Sequence, residues 1–117
     1  AWFGNNASDG WASCPITQNG CVRIMSHPGY PNAHSVHEIV ERLRSATADR
    51  SHAFWADDQS FLDESLVDAT RVHGPRQITD VYLLALAVSN RGRLVTFDTS
   101  IAIEAVKGAK PKHSLTL

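Results

Sequence analysis

The apolar positions between residues 77 and 97 follow two different periods. In QITDVYLLALAVS (77–89), Ile78, Val81, Tyr82, Ala85 and Val88 recur at spacings of three and four, which is one stripe of a helix. Leu83, Leu84 and Leu86 widen that stripe, so the helix is expected to be buried on most sides. Gly74 and Pro75 break the chain before it and Gly92 ends it. Leu94, Val95, Thr96 and Phe97 then form a short β-prone run, bounded by Gly92 and by Asp98, Thr99 and Ser100. A helix of about 15 residues followed at once by such a strand reads as half of an α/β unit with a parallel sheet.

The rest of the chain divides in the same way. Residues 5–10 read as a polar turn and 11–14 as a short strand. Pro15 suits the start of a helix reaching about residue 26, in which Ile16, Gly20, Val22, Ile24 and Met25 supply apolar or close-packing positions. Pro28 and Pro31 mark a loop over 27–33. Ser35 and Glu38 spell a capping box for a helix to about residue 47, with Val36, Ile39, Val40 and Leu43 as its stripe and Glu38/Arg42 as a supporting pair. Residues 53–55 are strand-like, 57–58 a turn, 65–72 a short helix, 101–106 a terminal helix and 113–117 an edge strand. Without repeats, low-complexity stretches or linkers, 117 residues make a single domain.

The chemistry of interest lies at the ends of these elements. Asp80 falls in the first turn of its helix, and Asp98 at the carboxyl end of its strand, where functional groups cluster in α/β sheets. Each also has a plainer role. An acid in a first turn stabilises the helix through its free amides and dipole. Asp98 would serve as the N-cap of a helix beginning near Ile101, although Thr99 or Ser100 would cap equally well. Two acids held at element ends suit a divalent cation without identifying one.

Several longer words carry a resemblance. TDVYLLALA (79–87) and LVTFD (94–98), separated by the short turn 90–93, resemble the C-terminal half of a PIN domain, and specifically of the VapC-type toxins of bacterial toxin–antitoxin pairs. CPITQNGCVRIMSHP (14–28) is similar to the family's second motif, WAS (11–13) to the end of the strand before it, and HAFWADD (52–58) to a later strand. The likeness runs in order along nearly the whole chain. It implies a PIN-like three-layer α/β/α fold with a parallel sheet, and a cytoplasmic, metal-dependent ribonuclease. Members of the family hold three or four carboxylates around one or two Mg²⁺ or Mn²⁺ ions. Carried over, Asp80 and Asp98 match the third and fourth acids and would be both catalytic and metal-binding. Hard cations take oxygen ligands, and a bound ion activates water and steadies charge on a phosphate during in-line displacement. Hydrolysis of RNA would leave a 5′-phosphate and a 3′-hydroxyl. Arg76 and Arg23 lie near the motif words and are candidates for contact with substrate phosphate. The resemblance further implies a homodimer and a cognate antitoxin that enters the acidic site.

Two departures qualify this likeness. Gln18 stands where the family has a glutamate; the amide keeps the size and a carbonyl oxygen, loses the charge, and cannot act as a base. AWF (1–3) resembles the end of the family's first helix, and nothing in the chain corresponds to the first strand and its acid. The domain is therefore expected to be incomplete at its N-terminus, a fragment of a longer reading frame. Its central strand would be missing and two strand edges left unpaired. The alternative function is a degenerate, non-catalytic PIN-like interaction module.

Composition narrows the field further. A net charge of −1 and a pI of about 6.6 leave no global basic footprint for nucleic acid, which counts against tight nonspecific RNA binding but allows a local arginine groove. No apolar run approaches the length of a membrane span. Cys14 and Cys21, if on one helix, would lie about 10 Å apart, too far for a disulfide, so both read as free thiols, as in a cytoplasmic protein, with a packing role. His34 and His37 lack partners in a zinc pattern and read as surface residues. Trp2, Trp11 and Trp55 read as core or partner contacts, and Asp57, Asp58, Asp63, Glu64 and Asp68 as a solvated face. No glycine-rich phosphate loop or nucleophile elbow occurs.

Overall fold

The computed structural model describes residues 2–5, 10–96 and 101–117. Five strands among them form one sheet in the order β3-β2-β1-β4-β5. They are β1 (Trp2–Asn5), β2 (Trp11–Ser13), β3 (His52–Phe54), β4 (Gly92–Thr96) and β5 (Ser114–Thr116). β2 and β3 pair in parallel, as do β4 and β5, whereas β1 is antiparallel to both of its neighbours. Because β1 opposes both β2 and β4, the other four strands all run the same way, and the sheet is mostly parallel.

The central strand is the first correction to the sequence reading. Residues 1–3 were expected to be the tail of a helix, with the place between β2 and β4 left open. Instead Trp2–Asn5 fills that place as a strand. The physical reason is shared by backbone and side chain. The strand supplies partners to amides and carbonyls that would otherwise face a gap. Phe3 pairs across to Ala12 on one side and Leu94 on the other, and is wholly buried.

Phe3, Ala12 and Leu94 share one face of the sheet as cross-strand partners, and this face carries the main core. Helix α3 (Ile78–Ser89) lies against it, with Val81, Leu83, Leu84, Ala85, Leu86 and Ala87 all buried. A 3-10 turn, Pro75–Gln77, leads directly into α3. Helices α1 (Pro15–Met25) and α2 (Val36–Thr47) cover the other face, where Gln18 of α1 bonds Ser13 and the carbonyl of Thr47 bonds His52. The result is the three-layer α/β/α arrangement. Ser35 caps α2 as its spacing predicts, accepting a hydrogen bond from the Glu38 amide.

Two predicted helices do not form. In the segment 65–72, Val67 makes an antiparallel bridge with Val106, and the only helical piece is the 3-10 turn Ala69–Arg71. Local side-chain bonding competes with helix here. The Asp68 carboxylate accepts from both the amide and the hydroxyl of Thr70, and Asp63 does the same with Ser65. The bridge also draws Val106 into extended backbone, so residues 101–106 hold only the 3-10 turn Ile103–Ala105. The edge strand expected over 113–117 is present as Ser114–Thr116.

Candidate active-site edge

The like-directed strands all end at one edge of the sheet, and the chain returns there repeatedly. α1 starts at this edge because Pro15 follows β2 after the single residue Cys14. Thr17 secures that start: its hydroxyl accepts from the Cys14 amide and donates to the Cys14 carbonyl. A tight turn at Asn90 and Arg91 reverses the chain between α3 and β4, so the first turn of α3 lies at the same edge as the end of β4. Asp80 stands in that first turn, half-buried. Asp98, two residues beyond the end of β4, lies outside the described residues. Gln18, on the first turns of α1, belongs to this edge as well.

Gln18 does not face solvent alone. Its amide Nε2 donates to Ser13 Oγ at 2.9 Å, Ser13 Oγ lies 2.8 Å from His52 Nε2, and His52 Nδ1 lies 3.0 Å from the carbonyl oxygen of Thr47. Trp11 and His52 are partners in the β2–β3 register, and their rings meet with centroids 4.4 Å apart. Ser13 is buried at the tip of β2. Gln18 and Thr47 also line a cleft of about 300 Å³ between α1 and α2.

On the α3 side the edge is drier. Burial pushes the Cys14 thiol above its ordinary 9.0, with Thr17 opposing the shift and the Asp57 carboxylate adding to it. Burial likewise raises the Tyr82 phenol above 10.0, with Asp57 contributing next. Asp57 is exposed, as a solvated face requires, yet its charge reaches both of these groups.

The remaining candidates separate. Arg76 is exposed in the turn just ahead of α3, four residues before Asp80 and at the same edge. Arg23 is exposed in the last turn of α1, at the opposite end of that helix from Gln18's strand contact. His34 pairs with Glu38 on the surface, and Cys14 and Cys21 are free thiols. Among the described residues, no three of His, Cys, Asp and Glu gather into a group fit for a metal. Ser13 and His52 escaped the sequence reading. They are 39 residues apart, and only the β2–β3 pairing brings them together.

Comparison with known proteins supplies relatives along the full chain. Ribonuclease VapC44 of Mycobacterium tuberculosis strain H37Rv is 51% identical over 117 residues, covering 100% of this chain and 82% of that protein. Ribonuclease VapC38 of the same strain is 39% identical over 118 residues, covering 99% of this chain and 82% of its own length. Ribonuclease VapC39 is 39% identical over 108 residues, covering 92% and 78% respectively. No family model and no solved structure matches the chain.

Proposed function

The chain belongs to the VapC family of ribonucleases, and on that footing we propose that it is the endoribonuclease toxin of a toxin–antitoxin pair, hydrolysing RNA with Mg²⁺ or Mn²⁺ held at the sheet edge by Asp80 and Asp98. The observation that carries the reading is the identity of 51% over the whole chain. The convergence of the starts of α1 and α3 with the end of β4 supports the location of the site.

The donor set suits a hydrated hard cation. Mg²⁺ is commonly held by one or two carboxylates and keeps several waters. Asp80 and Asp98 are two carboxylates, and Gln18 adds a neutral oxygen, its NH₂ already engaged by Ser13. When bound, the ion supplies charge stabilisation at the phosphate and a more acidic water. Gln18 has no titratable oxygen, so a proton released from the attacking water goes to a carboxylate oxygen of Asp80 or Asp98, or to solvent. Arg76, exposed beside the start of α3, is available to hold the substrate phosphate, while Arg23 at the far end of α1 has the weaker claim. The products are a 5′-phosphate and a 3′-hydroxyl. The partners in this reading are RNA, a second copy of the chain, and a cognate antitoxin whose segment enters the acidic edge. The setting is the cytoplasm. No helix among the described residues is long and apolar enough to cross a membrane.

Asp80→Asn in the complete gene product tests the assignment: RNA cleavage should vanish, and unchanged cleavage would overturn it. Gln18 favours a second reading, a non-catalytic interaction module, because a neutral ligand weakens cation binding. Calorimetric titration with Mn²⁺ separates the two. Absent or millimolar binding that Gln18→Glu restores would support the module, and tighter binding by the native chain would support the nuclease.

A further inference from the structure

The hydrogen bonds behind Gln18 run in one direction, and we infer from them that Ser13 and His52 are positioning residues: they hold the Gln18 amide with its NH₂ toward Ser13 of β2, which leaves the carbonyl oxygen as the end that can ligate a cation. The inference deepens the reading of that edge as the catalytic site and rests on it.

The chain of donors ends at Thr47. A backbone carbonyl only accepts, so His52 Nδ1, 3.0 Å away, carries a proton. In the neutral ring Nε2 is then the acceptor. Ser13 Oγ lies 2.8 Å from that nitrogen, so the serine hydroxyl donates to it. With its proton committed, the oxygen of Ser13 can only accept. The group that Gln18 turns toward it at 2.9 Å must therefore be the NH₂. The two ends of a glutamine amide have nearly the same shape, so only such a network orients one. A flipped amide would set oxygen against oxygen with no proton between them.

The base of the relay is held on three sides. The Trp11 ring lies against the imidazole, the Thr47 carbonyl ends α2 above it, and the register of β2 with β3 sets its distance from Ser13. Ser13 is 5% exposed, and among the described residues no buried side-chain polar atom lacks a partner. The relay matches glutamine in particular. A carboxylate at position 18 has no proton to give Ser13 Oγ and would compete with His52 Nε2 for the serine proton. With Gln18 the donors run without conflict from the amide through Ser13 and His52 to the Thr47 carbonyl. Gln18 is thus an oriented neutral ligand, built into its surroundings.

The test is NMR of the ¹⁵N-labelled protein. The neutral His52 ring should show a protonated Nδ1 and a bare Nε2, and the Gln18 side-chain NH₂ should exchange more slowly than those of exposed glutamines. Ser13→Ala and His52→Ala should each speed that exchange about fivefold, the net loss of one ordinary hydrogen bond, and weaken Mn²⁺ broadening of the Gln18 signals. Ser13→Thr, which keeps the hydroxyl, should restore both. A proton on Nε2 of the neutral ring, or Gln18 exchange indifferent to Ser13→Ala, would overturn the inference. Protected, oriented Gln18 with no Mn²⁺ broadening would uphold the orientation and remove the metal-site reading instead.

Discussion

Gly92, the first residue of β4, has no room for a side chain. A methyl group there would stand 2.5 Å from the carbonyl oxygen of Gly4 and run into the edge of the Trp55 ring. Neither neighbour yields easily. Trp55 is 8% exposed and packs on Phe3 with ring centroids 4.5 Å apart. Gly4 is fixed in the central strand by pairing with Trp11 and Arg93. Relief of a Gly92→Ala clash therefore requires backbone movement between β1 and β4. Overpacking costs about 1–3 kcal/mol, and a clash against backbone belongs at the upper end, about 3 kcal/mol. For a domain of this size that lowers Tm by about 12 °C. Gly20 supplies the control. It lies inside α1, and beyond its chain neighbours and the helix's own backbone nothing comes within 4 Å of the position its Cβ would take. Gly20→Ala should stabilise the protein by about 0.5–1 kcal/mol through helix propensity. Thermal and urea unfolding followed by circular dichroism would measure both, with coincident probes as the check on two-state behaviour. Gly92→Ala within about 0.5 kcal/mol of the parent, or both variants shifting the same way, would refute the packing argument.

Thiol labelling should separate the two cysteines. Cys14 is wholly buried with its thiol raised above 9.0, so iodoacetamide should modify half-buried Cys21 first and reach Cys14 only on unfolding; equal rates by mass spectrometry would contradict this. Because folded Cys14 keeps its proton while the unfolded thiol ionises, its contribution to stability should decline as pH rises beyond about 9.0, which alkaline unfolding curves would show. At the acid end, bonds from Ser65 and Thr70 hold Asp63 and Asp68 below 3.8, so their contribution is present above that pH and lost as pH falls through the folded values. NMR titration of the two carboxyl groups checks this, and midpoints at or above 3.8 would rule it out.

Much of the architecture was legible in the sequence because it is locally encoded. The stripe from Ile78 to Val88 makes α3 and buries it, Ser35 caps α2 by reaching the Glu38 amide three residues on, and Pro15 opens α1. The motif words around Asp80 and Asp98 pointed to the family for the same reason, since each lies within one element and its flanks. The short segments were not legible. Trp2–Asn5 has four residues, too few for any period, and becomes a strand only because β2 and β4 offer it two unpaired edges and a pocket for Phe3. Residues 65–72 show helical spacing but are claimed by the bridge from Val67 to Val106, a contact 39 residues distant. The orientation of Gln18 likewise depends on His52, which reaches Ser13 through the strand register alone. Periodicity reports which face of an element is apolar. Hydrogen bonds between elements depend on register and distance, which tertiary packing alone decides.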